Sequence, residues 1–322
     1  MSKKTFFTGF FTMMICAASV LFFGARRDKS VQDEKPLVSS FSVVPEFPLE
    51  LSFCGEKVDL SRFDMYERFD RELTGFTYTH SSTLLLFKRA NRYFPLIEPI
   101  LIANNIPTDF KYLCAIESTL SPRAVSPAKA VGLWQLLSAT ARQYGLEVNT
   151  SVDERYNVEK STEAACKYLR DAYNKFGSWT TVAASYNAGM ARISNELSAQ
   201  NVDDAFDLWL VEETSRYLFR MMALKQIMSN PYKYGFVIKR DQLYKPIETR
   251  DMEVNTTIDD LAAFAKENGV TYAQLKEFNS WMRDRSLPNK SGKKYTIKIP
   301  KSGDMHYPSH KKYVYQANWV ID

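Results

Sequence analysis

Between Thr108 and Glu117, four residues stand at a spacing that could turn one carboxylate into an acid. Phe110, Leu113, Cys114 and Glu117 occupy i, i+3, i+4 and i+7 and would share one face of a helix. Glu117 would end this apolar stripe close to a helix C-terminus. Both conditions disfavour a negative charge, the first by removing water and the second through the helix dipole. A carboxylic acid that stays protonated near neutral pH is what cleavage of a glycosidic bond needs as its general acid. The same spacing also suits a surface glutamate that caps or pairs locally, and spacing alone leaves both readings open. Polar side chains recur downstream. Ser118 follows directly, and Gln135 ends the loop Ala130-Val131-Gly132-Leu133-Trp134-Gln135. Tyr186 and Asn187 close a later helix, and Glu213 and Tyr217 stand one turn apart where the last long helix starts. Each has a plain alternative: Gly132 could only make a turn, Tyr186 could only be core, and Glu213 could only favour the dipole.

In order and spacing, Glu117-Ser118, Gly132-Leu133-Trp134-Gln135, Tyr186-Asn187-Ala188-Gly189 and Glu213 to Tyr217 resemble the four signature blocks of the family 1 lytic transglycosylases. The catalytic domain of that family is similar to goose-type lysozyme. Trp134, where many members carry Met, resembles the membrane-bound D-type branch, as do the stretch Leu84 to Pro95 and the run from Ser161 to Leu169. The resemblance spans roughly residues 50–235. One departure is Ser185, where an alanine usually precedes the Tyr-Asn pair. Residues 243–300 resemble a divergent LysM module, the βααβ repeat that grips N-acetylglucosamine chains. Thr257 to Leu261, Gly269-Val270-Thr271, Gln274-Leu275 and Phe278-Asn279 follow its order, while its characteristic Gly and Pro positions are poorly kept.

The resemblance implies a mechanism. Glu117 would protonate the oxygen of the β-1,4 link between N-acetylmuramic acid and N-acetylglucosamine, and the substrate's own acetamido oxygen would stabilise the oxocarbenium-like centre. Ionised Glu117 would then act as base on the muramyl C6 hydroxyl, giving a 1,6-anhydro end without consuming water. Ser118 and Gln135 would bind the sugar, Tyr186 and Asn187 would position Glu117 and the sugar, and Glu213 and Tyr217 would line the cleft. A hydrolase on the same fold, a muramidase or chitinase, would instead need a carboxylate or an ordered water on the face opposite Glu117; Asp109, Asp153 and Glu154 are candidates by position alone. A non-enzymatic peptidoglycan-binding protein would have no need of the acid.

These residues must be held by helices. Helical spacing runs from Asp59 to about Asn230. It predicts helices over Ser61–Leu73 (with Phe63, Tyr66, Phe69 and Leu73 as the apolar side), Ser81–Tyr93, a separate one opened by Pro95 and ending near Asn104-Asn105, Thr108–Glu117, Thr162–Phe176 stopped by Gly177, Trp179–Ala188 and Glu212–Ser229. With no convincing strands between them, the fold class is mainly α: a lysozyme-like helical domain of the soluble lytic transglycosylase type. After Pro231 the pattern changes. Strand-like runs in Leu243–Val254 and Lys294–Ile299 flank short helices over Ile258–Lys266 and Tyr272–Phe278, a small α+β LysM-like module.

The expected organisation is a leader or anchor (1–25), a Pro-containing linker (26–50), a helical extension (51–107), the catalytic domain (108–235), the module (243–300) and a basic aromatic tail (301–322). Lys3 and Lys4 precede a charge-free run from Phe6 to Ala25, closed by Arg26-Arg27. This reads as a signal peptide or an uncleaved span, so the chain is expected to be exported to the periplasm or envelope, and residues 6–25 could hold it at a membrane. Cys16 lacks the small preceding residue of a lipidation site. Cys54, Cys114 and Cys166 are an odd number after the leader and argue against a disulfide framework. With 12 Gly and 3 His, a Gly-rich phosphate loop and a His-based metal site are not expected, nor is any cofactor. A formal charge of +5 is too small to indicate a nucleic-acid binder by itself, and together with the export signal it argues against nucleic acid as a partner. The expected partner is the peptidoglycan glycan strand, met by a monomer. From Arg283 to Lys312 basic residues far outnumber Asp284 and Asp304, which suits either an anionic polymer or a solvated tail. The aromatic residues Tyr307, Tyr313, Tyr315 and Trp319 would pack back on the module or touch sugar.

Overall fold

The computed structural model describes residues 43–48, 50–306 and 313–321. The leader, Cys16 and Tyr307 lie outside the described residues. Pro45–Asp322 form one compact unit. Its chain order begins with a hairpin, β1 (Leu51–Phe53) and β2 (Glu56–Val58), that helical spacing did not disclose. The turn is made by Cys54 and Gly55, both at positive φ. Cys54 contributes its backbone N–H to Asp109 at 2.7 Å, which ties the hairpin to the chain just before the candidate acid's helix.

Helices follow: α1 (Phe63–Tyr78), α2 (His80–Ala103), α3 (Phe110–Ser118), α4 (Ser138–Gln143), α5 (Val158–Phe176), α6 (Trp179–Ala188), α7 (Met190–Gln200) and α8 (Glu212–Ser229). The centre of this domain is α3. Every residue from Phe110 to Ile116 is buried, so the helix is enclosed on all sides and not only along its apolar stripe. It ends where Thr119 and then Leu120 adopt left-handed backbone, with φ of 50° and 53°. Arg89 on α2 holds that turn by donating to the Thr119 carbonyl at 2.9 Å.

Three sequence expectations are corrected. Pro95 does not open a new helix, because α2 runs unbroken from His80 to Ala103 with Pro95 and Pro99 inside it. Proline removes a backbone donor and crowds the carbonyl four residues back. The helix continues because packing outweighs that loss: Phe94, Ile97 and Leu101 are fully buried. On α1 the buried stripe is Met65, Phe69 and Leu73 together with Glu72, whereas Phe63 is 76% exposed and Tyr66 turns outward to stack on Phe47. Helix α7 was not predicted; its only buried residue is Ile193, so no apolar period marked it. By contrast, α5 ends at Gly177 as expected, in left-handed conformation with φ of 68°.

The C-terminal module is a two-stranded antiparallel sheet, β3 (Thr249–Val254) with β4 (Tyr295–Pro300), paired from Thr249↔Pro300 to Val254↔Tyr295. Between them lie α9 (Leu261–Glu267), capped by Asp260, and α10 (Tyr272–Phe278), opened by a Thr271/Gln274 capping box. The fold is therefore mainly α with a small α+β module. Part of the basic skew of this region is met within the molecule: Lys293, Lys298 and Lys301 pair with Glu147, Glu159 and Glu248.

The start of the tail stays on the module, where Asp304 pairs with Lys245 at 2.7 Å, whereas Tyr313 to Ile321 pack on the helical domain. Asn91 of α2 donates to the carbonyls of Tyr244 and Tyr313 at 3.1 and 3.0 Å and accepts from the Tyr315 N–H at 2.8 Å. Trp319 is 1% exposed, packs edge-on to Phe87 and Phe94, and donates its indole N–H to the Met228 carbonyl at 2.7 Å. Among the described residues no helix is long and apolar enough to cross a membrane. Trp319→Ala should cost about 3–5 kcal/mol of stability, measured by urea denaturation. An unchanged midpoint would mean that the tail is not part of the core.

Candidate active site

Glu117 sits on the last turn of α3, partly buried. The hydroxyl of Tyr217, projecting from α8, donates to its Oε1. Loss of solvation pushes the Glu117 carboxyl up to about 7, with the charge of Glu213 acting in the same direction; the Tyr217 hydrogen bond and Arg220 pull the other way. Burial wins because a desolvated carboxylate loses more than one hydrogen bond and one half-exposed guanidinium return. Among the described residues Oε2 takes no hydrogen bond, so it is the oxygen left to carry a proton to a ligand.

The loop from Lys129 to Leu136 forms the next wall. Gly132 stands at φ 82°, and a Cβ there would lie 2.1 Å from the Arg155 carbonyl oxygen, so only glycine fits. Gln135, itself at φ 47°, donates its amide to the Ala124 and Gly132 carbonyls at 3.2 and 2.8 Å, which leaves its Oε1 as an acceptor. Trp134 is fully buried and anchored by its indole N–H to Thr162 Oγ1 at 2.8 Å. Its carbonyl accepts from the Tyr186 hydroxyl at 2.7 Å. Burial raises the Tyr186 and Tyr217 hydroxyls well above their ordinary value, and the charge of Glu117 adds to both. Both phenols therefore stay protonated as donors at any physiological pH.

The structure thus brings Glu117, Tyr217 and Tyr186 into one electrostatic neighbourhood, and places Glu213 one turn from Tyr217 within reach of the acid. Asn187 is fixed by the Thr214 hydroxyl, which donates to its Oδ1 at 2.7 Å. Ser118 turns its hydroxyl back to the Cys114 carbonyl at 3.2 Å. Ser185, where the family usually has alanine, is buried and donates to the Val182 carbonyl at 2.8 Å, so the extra hydroxyl is satisfied.

The three carboxylates that a hydrolase would recruit are engaged elsewhere. Asp109 pairs with Lys225 at 2.7 Å, Asp153 with Arg155 at 2.7 Å and Glu154 with Lys160 at 2.5 Å. Sequence reasoning gave Thr162 and Arg155 no role, although both hold the loop from Lys129 to Leu136; their only signal is three-dimensional. Among the described residues no group of three or more His, Cys, Asp or Glu is placed to hold a metal ion.

Comparison with known proteins gives these residues a context. Residues 98–207 match the family model described as a transglycosylase SLT domain. Residues 250–303 match that of the soluble lytic transglycosylase C-terminal LysM-like domain. Over 249 residues the chain is 29% identical to membrane-bound lytic murein transglycosylase D of Escherichia coli (strain K12), covering 73% of this chain and 51% of that protein. It is 33% identical over 116 residues to peptidoglycan transglycosylase gp16 of Escherichia phage T7, covering 35% of this chain and 9% of the phage protein. The chain thus spans about half the length of the first of these relatives and a small part of the second. A solved structure, the 70 kDa soluble lytic transglycosylase SLT70 of Escherichia coli, is similar at 23% identity and a TM-score of 0.36, covering 44% of this chain and 25% of that one.

The raised carboxyl has a consequence for stability. A Glu117 that holds its proton more tightly folded than unfolded contributes stability that is complete below the unfolded value and is lost as pH rises through about 7. Across that window wild type should lose about 3 kcal/mol relative to Glu117→Gln, read from urea midpoints at several pH values. Parallel curves for the two proteins would contradict the buried acid.

Proposed function

We propose that this chain, which carries an SLT transglycosylase domain and a LysM-like domain, cleaves peptidoglycan glycan strands without water, leaving 1,6-anhydro-N-acetylmuramic acid ends. The observation that carries the reading is the Glu117 carboxyl, protonated near neutral pH and held by the Tyr217 hydroxyl. Its Oε2 gives a proton to the oxygen of the β-1,4 link as the bond to the muramyl C1 breaks. The acetamido oxygen of the same sugar covers the developing positive charge. Glu117, now a carboxylate, takes the proton of the C6 hydroxyl as that oxygen closes on C1. One residue therefore serves as acid and then as base. Tyr217 stabilises the carboxylate stage, because its hydrogen bond favours the charged form.

In this reading Gln135 Oε1 and Ser118 meet the sugar, Asn187 and Tyr186 keep the wall opposite Glu117 in place, and Glu213 and Tyr217 line the same cleft. The ion-paired state of Asp109, Asp153 and Glu154 disfavours these three carboxylates as the base of a hydrolytic muramidase or chitinase. The LysM-like module is read as a glycan contact. An envelope location, and attachment to a membrane through residues 6–25, accord with the membrane-bound relative.

Mass spectrometry of the muropeptides released from purified peptidoglycan by the protein lacking residues 1–25 tests this. Anhydromuramyl ends, lighter by one water than reducing ends, are expected from wild type. Glu117→Gln should lose about 10²–10⁴-fold in rate. Reducing-end products would move the chain to the hydrolases, and unchanged activity of Glu117→Gln would remove the acid from its role.

A further inference from the structure

The C-terminal module meets the helical domain at several places, and one of these seams leads to the loop that carries Gln135. Val152, from the loop before α5, is 1% exposed and belongs to the hydrophobic core of the module, packed with Trp281, Met282 and Leu287. On either side of it the backbones pair: the Asp153 N–H donates to the Trp281 carbonyl and the Arg283 N–H to the Ser151 carbonyl, both at 2.8 Å. Lys293 and Tyr295 of the module reach Glu147 at 2.6 and 2.9 Å, closing the other end of the same loop.

The next residues carry the contact inward. Asp153 holds Arg155 in a two-point pair, Nε to Oδ1 at 2.9 Å and Nη2 to Oδ2 at 2.7 Å. Both side chains are nearly inaccessible. With the fork so fixed, Arg155 Nη1 donates to the carbonyls of Lys129 and Leu136, each at 3.1 Å. Those are the two ends of the loop that carries Gln135 and Trp134. The Arg155 carbonyl presses on Gly132 at the middle of it. From this loop, Leu133 meets Cys114 Sγ on α3, and the Trp134 carbonyl meets Tyr186. A guanidinium grips three acceptor groups at once in a fixed plane, which a lysine ammonium on a flexible stem cannot reproduce.

We propose that the module is a positioning element of the active site: seated on Val152, it sets the Asp153–Arg155 pair, which fixes the Lys129–Leu136 loop against Glu117. The proposal rests on the reading of Glu117 as the acid, and it makes Arg155 a positioning residue of that reaction. A module that only tethers substrate would act on affinity. A module that positions the wall acts on turnover, because misplacement of about 1 Å can cost 10²-fold.

The test uses the protein from residue 26 onward with Val152→Ala, which loosens the module side, and Arg155→Lys, which keeps the charge and loses the fork. Both are assayed on solubilised glycan strands well below their unfolding midpoints, with amide hydrogen exchange of residues 129–136 measured in parallel. The expected result is a fall in kcat of at least about tenfold with KM within about twofold, and faster exchange of the Val131, Gly132 and Leu136 amides in both variants. A raised KM with unchanged kcat and unchanged exchange would overturn the proposal. If wild type releases no anhydro ends, the functional reading fails by itself, and the exchange data alone decide whether the module sets the loop.

Discussion

The structure depends on keeping one carboxyl short of water while leaving it able to meet a ligand. Glu117 achieves this through its helix. Because α3 is enclosed from Phe110 to Ile116, its last turn has little solvent behind it. The left-handed turn at Thr119 and Leu120 then takes the chain away at once and leaves the carboxyl at the end of the helix. Tyr217 supplies one directional hydrogen bond and so orients the group without cancelling the effect of burial. The competition is between desolvation and one hydrogen bond, and its outcome near neutral pH is the condition that the proposed acid-then-base role of Glu117 requires.

Around that carboxyl the wall is made of backbone held by side chains. Tyr186 holds the Trp134 carbonyl, Arg155 holds both ends of the loop, and Thr162 holds the Trp134 ring. Each is a buried polar group with its partners satisfied, and such groups rigidify a structure because an unpaired alternative is expensive. Glycine at position 132 is required by the same construction, since the Arg155 carbonyl fills the place of a Cβ. The loop, the pair Asp153–Arg155 and the C-terminal module form one continuous network.

What was legible in the sequence was local or carried by family resemblance. The stripe ending at Glu117 disclosed a buried carboxyl and the sense of its shift, because helical periodicity is a local property, while its reading as the acid came from the resemblance. Gly177 marked the end of α5, and the strand, two helices and strand of the module were readable from alternation and caps. The resemblance placed Tyr217 only in the cleft lining; its hydrogen bond to Glu117 was not legible, since 100 residues separate the two. The continuity of α2 through Pro95 and Pro99 was not legible, because it is decided by burial of Phe94, Ile97 and Leu101 against distant elements. The ion pairs of the basic run were not legible for the same reason: the acids that meet Lys293 and Lys298, namely Glu147 and Glu159, lie more than a hundred residues away. Helix α7, with one buried residue, has almost no apolar period to read.

The most direct measurement is the titration of Glu117 itself. Infrared difference spectra of protein carrying ¹³C-labelled glutamate, wild type minus Glu117→Gln, isolate its carboxyl stretch as a function of pH. A protonated carboxyl band that persists through about pH 6 and disappears around about 7 is the predicted result. A group already ionised at about pH 5, in the ordinary glutamate range, would contradict the account, because no buried acid would then be available to begin the reaction.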